Sequence, residues 1–599
     1  MKILNRNEVD IQTTWDLSSL FSDNESYALE LESLLNDVTL FNTTYKTKLT
    51  DAQTTIKALH EYMALLERMT SVGTYASLTM SEDSSNPDAQ VLSGKASITM
   101  NQVSPLLNFV TQEIRLLEDA ILNEIKSLDD NFSLTIDEII KEKPHMLTPE
   151  IEDVLSTLAP TLNSHYHTYN MHKLIDMKFD NVTTDNHDIP MSFGYFEDEL
   201  MFHEDTDVRR KAFDTFHKRL KGSENTVAAI YGAHVQKEKA MAKLKGFDNT
   251  IDYLLFDQDV TRDMYDRQID LIMEHLAPAM RKFAKQLQSI HKLDKMTYSD
   301  LHLVVDPTFE PNYTIEDSHA ELLKGLSILG DDYLDMINRA FDERWIDFPQ
   351  NAGKSTGAFC SSPYGRHPYI LISWTSKMRE VFVLAHELGH AGHFYLAGQN
   401  QNILNVRPSL YFIEAPSTMN ELLMANHLNK SAEDDRLKRW ILSTLISRTY
   451  YHNFVTHLIE AAFQREVYRT IDANKPLNAN VLNTLFKEVL TTFWGDAVEI
   501  TEGAELTWMR QPHYYMGLYP YTYSAGLTVA TQASDKLLND EISIEDWKNV
   551  LKAGGTKSPL DLAKMVNIDL STEEPLLKTI QKISDMIDEI EVLTDNLNK

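Results

Sequence analysis

Apolar residues recur at helical spacing along most of the chain, with polar residues on the opposite face of each segment. The clearest examples are the segments 59–80, 102–125 and 583–597, where apolar positions repeat every three to four residues. Residues that break helices are sparse, with 20 Gly and 19 Pro among 599 residues. The pattern therefore predicts a mainly α-helical protein.

Segments typical of β-strands are few and cluster at 179–193, 297–307 and 367–374, where β-branched and aromatic residues lie between turn-forming residues. A chain of this length can form a large two-lobed body with a deep groove between the lobes. We expect a helical N-terminal lobe over residues 1–200. A larger, mixed but mainly helical lobe should follow over residues 201–599.

The sequence HELGH at 386–390 lies in an apolar run that predicts a helix over 377–396. His386 and His390 are four residues apart, so their imidazoles project from one face of that helix. This spacing suits a divalent ion such as Zn²⁺, and Glu387 can take a proton from a water that the ion activates. Alternatively, the histidines are core residues with satisfied hydrogen bonds, and Glu387 is exposed.

Small residues around the histidines favour the metal hypothesis. Ala385, Gly389, Ala391 and Gly392 leave room for a group to approach the imidazoles. A glycine within a helix costs about 1 kcal/mol relative to alanine, so two glycines indicate a packing or access requirement.

A catalytic zinc site needs a third protein ligand. The extended HExxHxxGxxH pattern is excluded, because His393 and Leu396 stand where it requires Gly and His. A helix predicted over 414–428 supplies Glu414 as the ligand. Glu421 is either the alternate ligand or the carboxylate that accepts a hydrogen bond from a ligating histidine, and His393 has a supporting or structural role.

The segment 511–527 combines one histidine, His513, with five tyrosines: Tyr514, Tyr515, Tyr519, Tyr521 and Tyr523. Such a run is usually packing or interface. Beside a zinc site, however, imidazole and phenol donors can stabilise the oxyanion of a tetrahedral intermediate. Gly517, Gly526 and Pro520 would let the segment bend over a groove as a loop and close on a substrate.

The stretch 351–374 precedes the histidine helix and predicts a small β-sheet beside it. Its edge strand is either a structural hairpin or the place where a substrate backbone is added as a further strand. Cys360, the single cysteine, lies here without a base nearby in the sequence, so a nucleophilic thiol is the poorer explanation.

The chain carries 56 Lys and Arg against 89 Asp and Glu, a formal net charge of -33. A phosphate backbone would be repelled, so we expect no nucleic-acid partner. The amino terminus lacks the apolar core of a secretory signal, and we find no run of about 18 apolar residues. We expect a cytoplasmic protein without a membrane partner.

Six ordered motifs resemble the oligoendopeptidase F branch of the thimet-oligopeptidase-like zinc metallopeptidases. They are WDLSSLF (15–21), WIDF (345–348), GKSTGAFC (353–360), HELGH (386–390), IEAPSTMNE (413–421) and HYYMGLYPYTYSAG (513–526). The resemblance covers nearly the whole chain. It implies an almost wholly helical, two-lobed body with a deep substrate channel, which admits short unstructured peptides and excludes folded proteins.

The resemblance also implies roles for individual residues. His386, His390 and Glu414 would hold the zinc ion, with Glu387 as general base. His513, Tyr519 and Tyr521 would be catalytic donors. Substrate-binding roles would fall on the remaining positions of the two matching segments: Gly357, Ala358, Phe359, Tyr514, Tyr515 and Tyr523.

These observations predict a zinc-dependent endopeptidase that cleaves internal bonds of oligopeptides in the cytoplasm, with one zinc ion per chain and no obligate protein partner. Mn²⁺ and Co²⁺ accept similar ligands. Two alternatives stay open: an exopeptidase acting through the same site, and a peptide-binding scaffold with structural zinc. An intact Glu387 and only three strong ligands argue against the scaffold, because structural zinc sites normally have four.

Overall fold

The computed structural model describes residues 4–185 and 188–599, and helices dominate it. The α-helices before residue 200 are α1 (Asn24–Tyr45), α2 (Ala52–Glu82), α3 (Pro87–Leu107), α4 (Phe109–Arg115), α5 (Asp119–Leu128), α6 (Ser133–Glu142), α7 (Pro149–Leu162), α8 (Ser164–Asn170) and α9 (Phe193–Asp198). The predicted mainly α-helical fold is confirmed.

Sixteen further α-helices follow among the described residues. They are α10 (Thr206–Lys221), α11 (Glu224–Leu244), α12 (Thr250–Phe256), α13 (Arg262–Leu271), α14 (Ala277–Ile290), α15 (Ile315–Gly325), α16 (Asp331–Asp342), α17 (Met378–Asn400), α18 (Ala415–Ser431), α19 (Asp435–Thr444), α20 (His457–Asp472), α21 (Ala479–Trp494), α22 (Pro520–Leu538), α23 (Ile544–Ala553), α24 (Pro559–Lys564) and α25 (Glu574–Leu597). A π-helical segment, Leu445–Thr456, joins α19 to α20, so helical backbone runs without a break from Asp435 to Asp472.

Two small sheets accompany the helices. Strands β1 (Val182–Thr183) and β2 (Asp188–Ile189) form an antiparallel pair, and β3 (Ile346–Asp347), β4 (Phe359–Ser361) and β5 (Tyr369–Leu371) form a sheet of order β3-β5-β4. In the second sheet β5 is central, parallel to β3 and antiparallel to β4. Strands therefore lie in the predicted stretches 179–193 and 367–374, although positions 186–187 are outside the described residues.

The strand predicted at 297–307 is wrong. This stretch is described throughout, and it contains a short 3₁₀ helix, Tyr298–Asp300, and no strand. Thr297 and Asp300 form a reciprocal capping box, in which the Asp300 carboxylate accepts from the backbone N–H of Thr297 at 3.0 Å. Two arginines bind the same carboxylate, so the buried charge is satisfied by this turn rather than by a sheet.

The apolar side chains form two hydrophobic cores that meet at the second sheet. One core is built from residues 15–139, and the other from residues 169–593. Within β5 and the residue after it, Tyr369 and Leu371 pack into the first core, whereas Ile370 and Ile372 pack into the second. Because successive side chains of a strand point to opposite faces, one strand serves both cores.

A buried lysine fixes the chain between β3 and β4. The Lys354 ammonium pairs with Asp347 Oδ1 at 2.7 Å. It also donates to the backbone oxygens of Asp347, Pro349 and Ile372 at 3.0, 2.7 and 2.7 Å. This single group ties the end of β3 to the residue after β5, so it fixes the start of the segment that leads into β4. Among the described helices, none has a stretch that is both long and apolar enough to cross a bilayer.

Candidate metal centre

His386 and His390 lie one turn apart on α17, the helix predicted over 377–396 and observed from Met378 to Asn400. Their ring centroids are 5.0 Å apart, and both side chains are only partly exposed. The four-residue spacing therefore places both imidazoles on one face, as the helical geometry requires.

Glu414 meets the two histidines from the start of α18, the helix predicted over 414–428. Its Oε2 lies 3.4 Å from Nε2 of His386 and 3.4 Å from Nε2 of His390. The three ligand atoms lie within 4.8 Å of one another. Helix α18 begins at Ala415 with Pro416 in its first turn, where a missing N–H costs nothing.

A glycine allows this approach of the two helices. A Cβ at Gly389 would lie 2.5 Å from the backbone oxygen of Pro416 and 2.5 Å from Cα of Ser417. At Gly392 a Cβ would lie 2.4 Å from the Tyr333 ring. The small residues thus admit α18 and a tyrosine ring behind the histidines, so their packing brings Glu414 to the imidazoles.

Glu421 contacts His386 on the ring nitrogen that does not face Glu414. Its Oε1 accepts a hydrogen bond of 2.6 Å from Nδ1 of His386, and its other oxygen accepts from the Thr449 hydroxyl. A proton on Nδ1 leaves Nε2 of His386 as the ring nitrogen that faces Glu414. Of the two roles predicted for Glu421, the geometry supports the hydrogen-bond acceptor that orients a ligating histidine.

The donor set suits a divalent zinc-type ion. Two imidazole nitrogens and one carboxylate oxygen converge, and three such ligands leave a coordination position free for water. Burial disfavours charge here, yet hydrogen bonds to Glu414 and Glu421 raise the pKa of His386 well above its ordinary value. The same histidines, despite burial, hold the pKa of Glu414 well below its ordinary value. A cation would take the place of these shared protons.

Glu387 lines a cavity of about 560 Å³, here called the metal cavity. His386, His390 and Glu414 line the same cavity, and these three residues are here called the metal cluster. The Glu387 side chain is nearly buried, at 6% exposure. Burial raises the pKa of the Glu387 carboxyl, while the two neighbouring imidazoles act in the opposite direction. Glu387 is therefore a buried carboxyl group that faces the cavity beside the three candidate metal ligands.

His393 lies behind the cluster and is not brought together with its ligand atoms. The side chain is buried, and its Nδ1 has no hydrogen-bond partner among the described residues. Burial and the nearby His390 lower the pKa of His393 to about 3, so the ring is neutral.

The segment 511–527 is less loop-like than predicted. Pro512–Tyr515 is a short 3₁₀ helix, and α22 begins at Pro520, because proline fits the first helical turn. Gly517 lies between them with φ of +65°, which permits the turn. Gly526, expected to bend a loop, instead lies within α22, where a Cβ would be 3.1 Å from Cβ of Glu414.

His513, Tyr519 and Tyr523 form one aromatic group. The ring centroids of the two tyrosines are 5.2 Å apart. The His513 ring centroid lies 5.4 Å from that of Tyr519 and 5.6 Å from that of Tyr523. Tyr523 also lines the cavity that contains the metal cluster. Burial raises the pKa of the Tyr523 phenol, so it keeps its proton and remains a hydrogen-bond donor.

The structure does not bring Tyr514, Tyr515 or Tyr521 to this cavity. Tyr521 is fully buried, and its hydroxyl donates to Gln258 Oε1 at 2.5 Å. Tyr514 is buried in the large core, and Tyr515 stacks on a neighbouring tyrosine ring at 4.9 Å. Positions 519 and 523 are four apart and share a helix face, whereas position 521 points to the opposite side.

The predicted edge strand is β4, which lies at one side of the three-stranded sheet. Ala358, Phe359 and Cys360 line the metal cavity, and Gly357 lines an adjoining cavity together with Ala358. Burial raises the pKa of the Cys360 thiol, so the thiolate is disfavoured. The free edge of β4 therefore lies beside the cluster, where a peptide backbone can pair with it.

Sequence reasoning missed a second polar group on the helical run from Asp435 to Asp472. Glu460 accepts a hydrogen bond of 2.8 Å from Nδ1 of His457, and its carboxylate lies 3.8 Å from Nδ1 of His513. Despite burial, His457 and His513 lower the pKa of Glu460 to about 2. His452 lies 3.0 Å from His457 and lines the metal cavity. The pair at positions 457 and 460, three apart, was the available sequence signal.

Comparisons with known proteins agree with the motifs. Residues 200–582 match the profile described as Peptidase family M3, and residues 113–179 match the profile described as Oligopeptidase F. The Oligopeptidase PepF of Bacillus subtilis is 27% identical over 594 residues, covering 98% of this chain and 88% of that protein. An Oligoendopeptidase F homolog of Borreliella burgdorferi is 26% identical, covering 98% of this chain and 99% of that protein.

Solved structures share the fold. The oligoendopeptidase-F structure from Enterococcus faecium has a TM-score of 0.73 at 20% identity and covers 97% of this chain and 100% of that chain. A structure from Chlamydophila abortus has a TM-score of 0.85 at 21% identity, covering 99% and 100%. The resemblance drawn from the six motifs is thereby confirmed. Because the first profile spans well over half of the residues and includes the whole metal cluster, the chain belongs to peptidase family M3.

Proposed function

We propose that this protein is a zinc-dependent endopeptidase that hydrolyses internal peptide bonds of short, unstructured peptides. The observation that carries the proposal is the convergence of His386, His390 and Glu414 beside Glu387, in a cavity next to the free edge of β4. Membership of a peptidase family supports the same reaction.

The ligands would be Nε2 of His386, Nε2 of His390 and Oε2 of Glu414. A zinc ion bound to them would supply Lewis acidity, polarising a water molecule and the carbonyl of the bond to be cleaved. Glu421 holds His386 in the required orientation through its hydrogen bond to Nδ1.

Glu387 acts as the general base. Its carboxylate removes a proton from the attacking water, the water oxygen bonds to the carbonyl carbon, and Glu387 then passes the proton to the departing amine. No covalent acyl-enzyme is required.

His513 and Tyr523 are the donors placed to stabilise the oxyanion that forms during this attack. Tyr523 lies in the cavity and His513 packs against it, with 3.5 Å between the Tyr523 hydroxyl and Nε2 of His513. The Glu460 carboxylate lies 3.8 Å from the other ring nitrogen of His513, Nδ1. Tyr519 completes the group as a substrate contact.

The test uses an internally quenched peptide of about ten residues with both ends blocked. Wild type should cut it at an internal bond, identified by mass spectrometry of the products. A chelator should abolish cleavage, and so should Glu387→Gln, which should still bind stoichiometric zinc. Activity of Glu387→Gln with zinc bound would refute the role of Glu387.

The same experiment separates the two alternatives. Trimming of an unblocked peptide from one end, without cleavage of the blocked one, would identify an exopeptidase. Inertness toward both peptides with zinc bound would favour a peptide-binding scaffold.

A further inference from the structure

Three adjoining cavities lie in a row past the metal cluster, along the chain from residue 356 to residue 368, and together form a groove. The metal cavity shares Ala358 and Arg448 with a cavity of about 700 Å³ on one side. It shares Phe394 and Arg407 with a cavity of about 750 Å³ on the other side. A peptide bound across the cluster beside β4 would extend into both.

The second of these, here called the basic cavity, is lined by residues of 362–368 and 394–407. Its charged lining residues are Arg339, Arg366 and Arg407, with His367 beside them, and none of its described lining residues is Asp or Glu. The protein as a whole has a formal net charge of -33. The lining of the basic cavity is therefore positively charged, whereas the protein as a whole is strongly negative.

Two of these groups are already engaged. The Arg339 guanidinium forms hydrogen bonds of 2.8 and 3.1 Å with Glu343 and one of 2.7 Å with the Tyr395 hydroxyl. Burial lowers the pKa of His367, so its ring is neutral, and it lies 2.9 Å from the Ser19 hydroxyl. The positive charge available to a ligand therefore belongs to Arg366 and Arg407.

Arg366 and Arg407 form no ion pair with any described residue. Arg407 lies over the Phe394 ring at 5.8 Å, which leaves the edge of its guanidinium free. Burial raises the pKa of Glu67, and the positive charge of Arg366 lowers it by a smaller amount. The two groups are not in ion-pair contact. Both residues are exposed, so two unpaired guanidinium groups border a cavity that adjoins the metal cavity at Phe394 and Arg407.

The cavity on the other side of the cluster has the opposite character. Its lining contains six carboxylates: Glu197, Glu199, Glu204, Asp306, Glu310 and Glu380. Two arginines, Arg379 and Arg448, accompany them. Four of the carboxylates pair with arginines, Glu197 with Arg510, Asp306 with Arg436 and Arg439, and Glu310 and Glu380 with Arg379. The negative charge available to a ligand is therefore that of Glu199 and Glu204, which form no ion pair with any described residue. A negatively charged group on the substrate would therefore be favoured on one side of the cluster and disfavoured on the other.

We propose that the basic cavity is a subsite for a carboxylate of the bound peptide, either an acidic side chain or the C-terminal carboxylate. Arg407 makes the contact nearer the cleaved bond, because it lines the metal cavity as well, and Arg366 makes the more distant one. The inference rests on the proposed peptidase function, since it assigns a charge preference to the same groove.

The first experiment moves a single glutamate through an end-blocked peptide, one position at a time, with glutamine at the same position as the matched control. We expect kcat/KM to be about tenfold higher for Glu than for Gln on one side of the cleaved bond, and equal or lower on the other. Added salt should reduce this Glu/Gln ratio, because the contact is electrostatic. A ratio near one at every position would overturn the side-chain form of the subsite.

The second experiment compares the glutamine peptide with a free C-terminal carboxylate and with a C-terminal amide. An acid/amide ratio of about tenfold, with no effect of glutamate, would identify the terminal carboxylate as the ligand. If both ratios are near one, no carboxylate is recognised and the proposal fails.

Substitution assigns the effect to the cavity. Arg407→Gln and Arg366→Gln should each bring the ratio toward one, and the double variant should abolish it. Arg448→Gln is the matched control, because this unpaired arginine lies toward the acidic cavity. This substitution can lower kcat for every peptide, but the Glu/Gln ratio of kcat/KM on the side of the basic cavity should equal the wild-type ratio. A ratio that survives the double variant would contradict the assignment.

Binding measurements separate this proposal from the proposed function. Glu387→Gln retains the groove, so fluorescence anisotropy with labelled Glu and Gln peptides measures the preference without cleavage. A tenfold affinity ratio, lost with Arg407→Gln in the same background, would support the subsite even if wild type cleaved no peptide. The same measurement compares labelled peptides that end in a free carboxylate and in an amide. Equal affinities in both comparisons would overturn the subsite even if the peptidase function were established.

Discussion

Gly389 shows how one missing side chain assembles the metal cluster. Its Cα faces the first turn of α18, and the 2.5 Å that a Cβ would leave to the Pro416 oxygen is far inside contact distance. From the sequence, the small residues indicated room near the histidines. The sequence predicts the helix over 414–428 that supplies Glu414. It does not reveal that Pro416 and Ser417 pack on Gly389, because this contact depends on how the two helices cross.

We predict that Gly389→Ala displaces the start of α18 and moves Glu414 away from the imidazoles. The variant should lose about tenfold or more in zinc affinity and about 1–3 kcal/mol in the free energy of unfolding. Competition with a chromogenic chelator and denaturant titration measure the two effects. Gly398→Ala, on the same helix with nothing within 4 Å of its Cβ, is the control and should retain wild-type zinc affinity.

At the scale of the element, the phase of α22 decides which tyrosine faces the cavity, and of the five tyrosines in 511–527 only Tyr523 lines it. Tyr519 and Tyr523 share a face, whereas Tyr521 is buried on the other side with its hydroxyl on Gln258. The sequence supplied the set of tyrosines. Which of them faces the cavity depends on helical backbone from Pro520 onward. We expected a loop over 511–527, so the helical spacing of four residues was not applied to these tyrosines.

Paired phenylalanine substitutions test this selection. Tyr523→Phe should lower kcat/KM by about 10²-fold, because a donor to the developing oxyanion is lost. Tyr521→Phe should leave kcat/KM near the wild-type value and cost about 1–2 kcal/mol of stability, since Gln258 loses its hydrogen-bond partner. Steady-state kinetics and thermal unfolding of the two variants would show the reverse ordering if Tyr521 were the donor.

The turn at Tyr298–Asp300 replaces the strand predicted at 297–307. The Asp300 side chain is fully buried and pairs with Arg209, also fully buried, at 2.5 Å and with Arg210 at 2.8 Å. A local pattern of β-branched and aromatic residues could not reveal this, because both arginines lie about ninety residues earlier.

We predict that Asp300→Asn costs about 3–5 kcal/mol of stability, because Arg209 would be left as a buried charge without its partner. Burial opposes ionisation, but hydrogen bonds from Arg210 and Thr297 lower the pKa of Asp300 below its ordinary value. The carboxylate therefore stabilises the fold above the unfolded-state pKa of about 3.9, and this contribution is lost as the pH falls through the folded-state pKa.

Urea unfolding across a pH series measures this dependence. The stability difference between wild type and Asp300→Asn should be largest at neutral pH and should shrink below about pH 4. Asp294→Asn provides the control, since Asp294 is an exposed partner of the same Arg210. It should change stability by less than about 0.5 kcal/mol, and an equal loss in both variants would contradict the argument.

At the scale of the whole molecule, the helical class follows from the periodic pattern, whereas the division into cores does not. The sequence suggested a boundary near residue 200. In the structure, the first core is built from residues 15–139 together with Tyr369 and Leu371, and residues from 169 onward build the second. Two residues of the first core come from a strand more than two hundred residues later in the chain. This contact depends on long-range packing, which local sequence patterns do not encode.

The groove beside β4 should restrict substrates to flexible chains. Strand addition at β4 requires an extended peptide backbone, and a segment held inside a folded domain cannot adopt it. We predict rapid cleavage of a ten-residue peptide and no cleavage of the same sequence placed in a surface strand of a stable folded protein. Unfolding that protein should restore cleavage at the same bond, as gel electrophoresis and mass spectrometry would show.

Strand β5 has a consequence for how the molecule comes apart. Tyr369 and Leu371 are fully buried in the first core, and Ile370 is fully buried in the second. Melting of the N-terminal helices would therefore uncover every second side chain of the strand that holds β4 in place. We therefore expect partial unfolding at the amino-terminal end to abolish the proposed cleavage before His386, His390 and Glu414 separate from one another.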